Sequence, residues 1–120
     1  MNLLLVALGA AVGAPLRYLV DRAVQTRHAS VFPWGTLAVN VIGSALLGLV
    51  AGLPADPAVI ALVGTGFCGA LTTYSTFSYE TLGLARAGDR WLALANVSLS
   101  VVAGLAAAYG GLAVAHALTP

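Results

Sequence analysis

The charged residues of this chain are placed so that they leave four long apolar stretches between them. Asp, Glu, Lys and Arg are absent from residues 1–16, 28–55, 57–79 and 91–120. A helix needs about 20 mostly apolar residues to cross a membrane, and the first stretch reaches that length if it continues past Arg17 to Gln25. Because lipid offers the backbone no hydrogen-bond partners and the stretches are too long for barrel strands, the pattern predicts four transmembrane helices.

The overall composition excludes an ordinary soluble domain. The 120 residues include 5 Lys+Arg and 4 Asp+Glu, and 60% are hydrophobic, whereas soluble domains are about 25% charged. The net charge of +1 provides no basic surface for nucleic acid, and the single cysteine excludes an internal disulfide. We therefore expect an all-α integral membrane protein with one domain over residues 1–120.

Local signals place the ends of the four helices. Pro33-Trp34 opens the second helix with an aromatic residue suited to the membrane interface. Asp56 and Pro57 suit the cap and the first position of the third helix. The sequence predicts helices over about 2–25, 33–53, 57–85 and 90–117.

Polar residues inside the helices form aligned rows. Thr36, Asn40 and Ser44 recur every fourth residue, Asn96 and Ser100 repeat that spacing, and residues 72–78 include five Thr or Ser. A single Ser or Thr often bonds only to its own helix or a neighbour. Three rows of uncharged N–H and O–H donors instead favour a path for a small anion.

Three further features accompany these rows. The ring edges of Tyr74 and Phe77, three residues apart, would present weakly positive groups to an anion. The segment Gly69-Ala70-Leu71-Thr72-Thr73 weakens a helix in mid-span, and carbonyls freed by a break there could hold a cation. Arg17 lies four residues before Asp21, and it could anchor the helix end or attract anions.

Three segments carry a resemblance to a known family: residues 9–18, 34–44 and 66–80, of which the last, GFCGALTTYSTFSYE, is the most specific. On these segments the sequence resembles the Fluc (CrcB) family of fluoride channels. The chain length and the four-helix layout also agree, so the resemblance covers nearly the whole chain. It implies a fluoride-selective channel in the plasma or inner membrane of a prokaryote, which exports fluoride passively, lowers cytoplasmic fluoride and gives fluoride resistance.

The resemblance also implies an assembly and a set of site residues. The assembly would be an antiparallel, dual-topology homodimer in the lipid bilayer, with two fluoride pores along its interface and the third helix broken mid-membrane. A structural sodium ion at the dimer interface would be held by the backbone carbonyls of Gly69 and Thr72. The proposed pore residues are Asn40, Tyr74, Phe77, Ser100, Thr36 and Asn96. Tyr74 replaces the usual Phe of the family, and Asn96 stands where the family often has Tyr.

The sequence leaves other possibilities to weigh. A small multidrug or guanidinium transporter is also a four-helix dual-topology dimer, but it uses a membrane-embedded carboxylate on the first helix, where this chain has no acid before Asp21. A non-transporting assembly subunit would leave the aligned donors unexplained, and no catalytic set suggests an enzyme. Four arginines, Arg22, Arg27, Arg86 and Arg90, fall on one side, so the positive-inside rule predicts one orientation with both termini outside.

Overall fold

The computed structural model of the protein describes residues 2–28 and 32–119, and every regular element within them is helical. The helices are α1 (Asn2–Arg27), α2 (Trp34–Gly52), α4 (Ser75–Arg86) and α5 (Arg90–Leu118), with the helical segment α3 (residues 57–71) between α2 and α4. Within α3, an α-helical turn over Pro57–Val59 leads into a π-helix over Ile60–Cys68 and then into Gly69–Leu71.

Four spans among the described residues are long and apolar enough to cross a membrane. They are Leu3–Arg27, Trp34–Gly52, Pro57–Arg86 and Arg90–Leu118. Large apolar side chains lie on the outside of the bundle; Leu3 is 75% exposed and Trp91 81%. Apolar surface on this scale needs lipid or another protein chain to cover it. These findings confirm the prediction of an all-α membrane protein with four membrane-spanning segments.

The most extensive helix packing joins alternate helices, α1 with α3 and α2 with α5. Glycines make both approaches possible. A Cβ on Gly48 would collide with the carbonyl oxygen of Ala108, and one on Gly111 with that of Ala45. A Cβ on Gly13 would lie 2.5 Å from the carbonyl oxygen of Phe67. Small residues allow such backbone-to-backbone contact between membrane helices.

Helical hydrogen bonding is interrupted between Leu71 and Ser75. Thr72 has an extended backbone, with φ −79° and ψ 158°. The π-helix before this interruption spans 9 residues, although π-helices are mostly single-turn features found near functional sites. Backbone groups released at an interruption must find other partners, and those partners define the site described next.

Candidate functional site

The side chain of Asn40 on α2 holds the backbone of the interrupted segment. Its oxygen accepts the N–H of Thr73 at 2.8 Å, and its nitrogen donates to the carbonyl of Thr73 at 3.2 Å. The carboxamide thereby replaces two helical partners that Thr73 has lost. An Asn side-chain nitrogen carries two N–H groups, so one donor of Asn40 is left after this contact.

The same interruption redirects the amides that would normally cover two carbonyls. In a continuous helix the N–H of Thr73 would reach the carbonyl of Gly69, and that of Thr76 would reach the carbonyl of Thr72. Here the Thr73 N–H goes to Asn40, and the Thr76 N–H goes to the hydroxyl of Thr73 at 3.2 Å. Gly69 and Thr72, whose carbonyls were predicted as cation ligands, are the two residues affected.

An open groove lies beside the interruption. Its volume is about 330 Å³. The lining residues come from α2, the interrupted segment, α4 and α5: Asn40, Thr72, Thr73, Tyr74, Phe77, Ser100 and Val101. The rings of Tyr74 and Phe77 lie 6.3 Å apart and are tilted by 41°. The structure thus brings Asn40, Tyr74, Phe77 and Ser100 to one surface.

Thr36, another predicted pore residue, lies outside this groove lining. It is 2% exposed, and its hydroxyl donates to Oε1 of Glu80 at 2.6 Å. The sequence analysis did not single out Glu80 as a site residue. Helix periodicity could not have revealed this contact, because the interruption between Leu71 and Ser75 breaks the register that relates Thr73 to Glu80.

Asn96 is also away from the groove lining, and it is buried on α5. Only 1% of it is exposed, and its amide nitrogen donates to the hydroxyl of Thr81 at 2.8 Å. Arg17 lies partly exposed on α1, and its side chain makes no hydrogen bond with the rest of the described chain. Its role stays a prediction.

The described residues contain no group of three or more His, Cys, Asp and Glu side chains that could hold a metal. The polar groups lining the groove are instead neutral amides, hydroxyls and backbone atoms. Fold and groove together define a small multi-pass membrane protein with a neutral, donor-lined surface beside an interrupted helix.

Comparison with known proteins gives the family. Residues 4–112 match the family described as CrcB-like protein, Camphor Resistance (CrcB). The chain is 64% identical over 127 residues to "Fluoride-specific ion channel FluC 1" of Frankia casuarinae, covering 98% of each chain. The protein of the same name from Streptomyces avermitilis is 58% identical, again over 98% of each chain. That of Nocardia farcinica is 49% identical over 100% of this chain and 84% of the relative. The chain therefore belongs to the Fluc (CrcB) family, which confirms the resemblance seen in the sequence.

Proposed function

We infer that this chain is a fluoride-specific ion channel, a multi-pass protein of a bacterial membrane. The observation that carries this conclusion is the 64% identity, over 98% of both chains, to a protein named for that function. The four apolar spans agree with a membrane channel. The neutral groove supports an anion as the permeating species, because its amide and hydroxyl donors come without lining carboxylates.

The driving force of such a channel is passive. Fluoride that enters a cell as HF dissociates inside, and a negative interior pushes the anion out with about 2.3 kcal/mol per charge per 100 mV. No energy source other than the membrane potential is required. A pore must offer donors that replace the water of the ion, and its width and donor placement set selectivity over chloride. We assign these roles to the remaining N–H of Asn40, the hydroxyl of Ser100 and the ring edges of Tyr74 and Phe77.

Fluoride release from liposomes tests this function. Purified protein is reconstituted into vesicles loaded with fluoride, with valinomycin and a potassium gradient to balance charge, and a fluoride electrode follows the efflux. We expect rapid release of fluoride and no release of chloride from a matched chloride-loaded preparation. Absence of fluoride release from folded, reconstituted protein would contradict the assignment.

We further propose that the channel is an antiparallel homodimer built around the interruption. Residues 72–74 lie near the centre of the 30-residue span Pro57–Arg86, which supports a break at mid-membrane depth. Tyr74 borders the polar groove and is 81% exposed. A second copy would cover both the ring and the open side of the groove.

The same arrangement suits a sodium ion at the interface. Unwound backbone carbonyls are the groups that hold Na⁺ in broken membrane helices, and Gly69 and Thr72 each have a carbonyl whose usual amide is redirected. Two oxygens from one chain do not complete the shell of a hard cation, so the site requires a second copy. A bound sodium would supply a fixed positive charge that holds the two subunits together. It would be held by these two carbonyls of each chain.

Gly69→Leu provides a test of the dimer. Apart from the neighbouring residues and the backbone of its own helix, no described atom lies within 4 Å of a Cβ placed on Gly69. The substitution should therefore leave the protomer folded and obstruct only a partner. We expect the association constant of the dimer to fall by about 5- to 150-fold, the equivalent of the 1–3 kcal/mol that overpacking costs. The measurement is fluorescence energy transfer between labelled subunits in liposomes at rising dilution.

Gly110→Leu serves as the matched control, because Gly110 also has nothing within 4 Å. Gly110 borders a different groove, which it shares with Ala45 and Leu49, whereas Gly69 shares one with Ser44 and Leu47. Equal dimerisation of wild type and both variants would argue against an interface at Gly69.

A further inference from the structure

We propose that Asn96 is a positioning residue, which fixes Phe77 in the groove through Thr81 and does not itself line the ion path. The proposal rests on the proposed function in so far as it assigns Phe77 a place beside the ion. Its basis is a chain of three hydrogen bonds that runs from α5 to α4.

The hydrogen-bond chain has one consistent direction. The hydroxyl of Thr81 donates to the carbonyl of Phe77 at 2.8 Å. A hydroxyl has one proton, so towards Asn96 the Thr81 oxygen can only accept, and the Asn96 nitrogen donates to it at 2.8 Å. At the other end, the hydroxyl of Ser100 donates to the Asn96 oxygen at 3.4 Å.

The burial of Asn96 argues against direct contact with a permeating ion. Its exposure is 1%, whereas the groove is lined by Ser100 and Val101, one turn further along α5. Its nitrogen and oxygen both have partners in the chain of bonds. A buried amide placed in this way serves its neighbours, because leaving either group unpaired would be costly.

The consequence for Phe77 follows from the last bond of the hydrogen-bond chain, which lies on α4. Thr81 lies one turn after Phe77 on α4, and its bond to the Phe77 carbonyl holds the turn that carries the aromatic ring. Asn96 keeps the Thr81 hydroxyl turned towards that carbonyl by occupying its acceptor side. The link to Ser100, at 3.4 Å, is the longest of the three. Ser100 also lines the groove, so this end of the hydrogen-bond chain lies at the groove surface.

Fluoride efflux from liposomes tests this hydrogen-bond chain with paired substitutions. Thr81→Val keeps the shape and removes the hydroxyl, whereas Thr81→Ser keeps the hydroxyl. We expect Thr81→Val and Asn96→Leu each to slow efflux about tenfold, the rate equivalent of one lost buried hydrogen bond. Thr81→Ser should remain near wild type, and the double variant Asn96→Leu/Thr81→Val should be no slower than the slower single variant. Thr26→Val, which removes a similar hydroxyl bonded to its own helix at Ala23, is the control.

Two efflux results would overturn the proposal. Multiplicative losses in the double variant would mean that Asn96 and Thr81 act separately. Loss of efflux in Asn96→Leu with wild-type efflux in Thr81→Val would place Asn96 on the ion path itself.

A spectroscopic measurement follows the position of Phe77 independently of transport. The chain has 3 Phe residues, so fluorophenylalanine labelling gives a simple ¹⁹F NMR spectrum, and the signal missing from Phe77→Ile identifies Phe77. We expect Thr81→Val and Asn96→Leu to shift that signal and leave the other two in place, whereas Thr81→Ser leaves all three. An unmoved Phe77 signal in both variants would contradict the proposal that Asn96 positions Phe77 through Thr81. Failure of wild-type protein to release fluoride would instead count against the proposed function and leave this measurement valid.

Discussion

Asn40→Asp is expected to slow fluoride efflux by at least about 100-fold. Two like charges about 4 Å apart repel by about 4 kcal/mol at an effective dielectric constant near 20, which corresponds to roughly a thousandfold in rate. The substitution also replaces the amide that donates to the Thr73 carbonyl with an oxygen that repels it. Both effects act at the same place, beside the interrupted helix.

Asn40→Leu separates the two effects. Leucine has a similar size, loses both contacts with Thr73 and adds no charge. The efflux rate of Asn40→Leu should therefore fall less than that of Asn40→Asp. The measurement is the initial rate of fluoride release at matched protein density, after size-exclusion chromatography has shown that each variant is folded. Wild-type efflux in folded Asn40→Asp protein would remove Asn40 from the ion path.

Gly111→Leu is expected to lower the thermal stability of the protein strongly. Replacing Gly by Leu in a helix gains about 0.8 kcal/mol in intrinsic propensity, but a Cβ at this position would collide with the carbonyl oxygen of Ala45 and lie 2.7 Å from the nitrogen of Leu49. Overpacking against side chains already costs about 1–3 kcal/mol, and backbone atoms yield less than side chains. The clash outweighs the propensity, and we expect the melting temperature in detergent to fall by about 10 °C or more.

The neighbouring residue provides the control for this experiment. Gly110→Leu has the same propensity gain and meets nothing within 4 Å, so its melting temperature should equal or exceed that of wild type. Equal melting temperatures for the Gly110 and Gly111 variants would show that α2 and α5 do not approach as described.

The sequence was most informative where local chemistry alone decides the structure. Uncharged apolar stretches require helices in lipid, so the four spans could be predicted without knowing how they pack. Gly48 and Gly52, four residues apart, form a small-residue face of the kind that favours close helix approach. The spacing does not say which helix packs there, because the backbone of any helix can approach a face of small residues. The alternate pairing of α2 with α5 depends on the whole bundle.

Single residues of the site show the same limit. Asn40 could be predicted as important because an amide inside an apolar helix needs partners. Its contact with both backbone groups of Thr73 depends on how two separate helices meet, which no local pattern records. For Asn96, the spacing from Ser100 predicts a place in the pore, which stays a prediction, and its contact with Thr81 on another helix could not be predicted from that spacing.

The pairing of alternate helices has a consequence for how the protein is made. The most extensive partner of α2 is α5, which begins at Arg90 and is synthesised after α1 to α4. During synthesis of residues 53–89, the surface of α2 around Gly48 must be covered by lipid or by the insertion machinery. The α2–α5 contact therefore forms only after residues 90–118 have been made, and a chain whose synthesis stops before residue 90 lacks the partner for the main contact surface of α2.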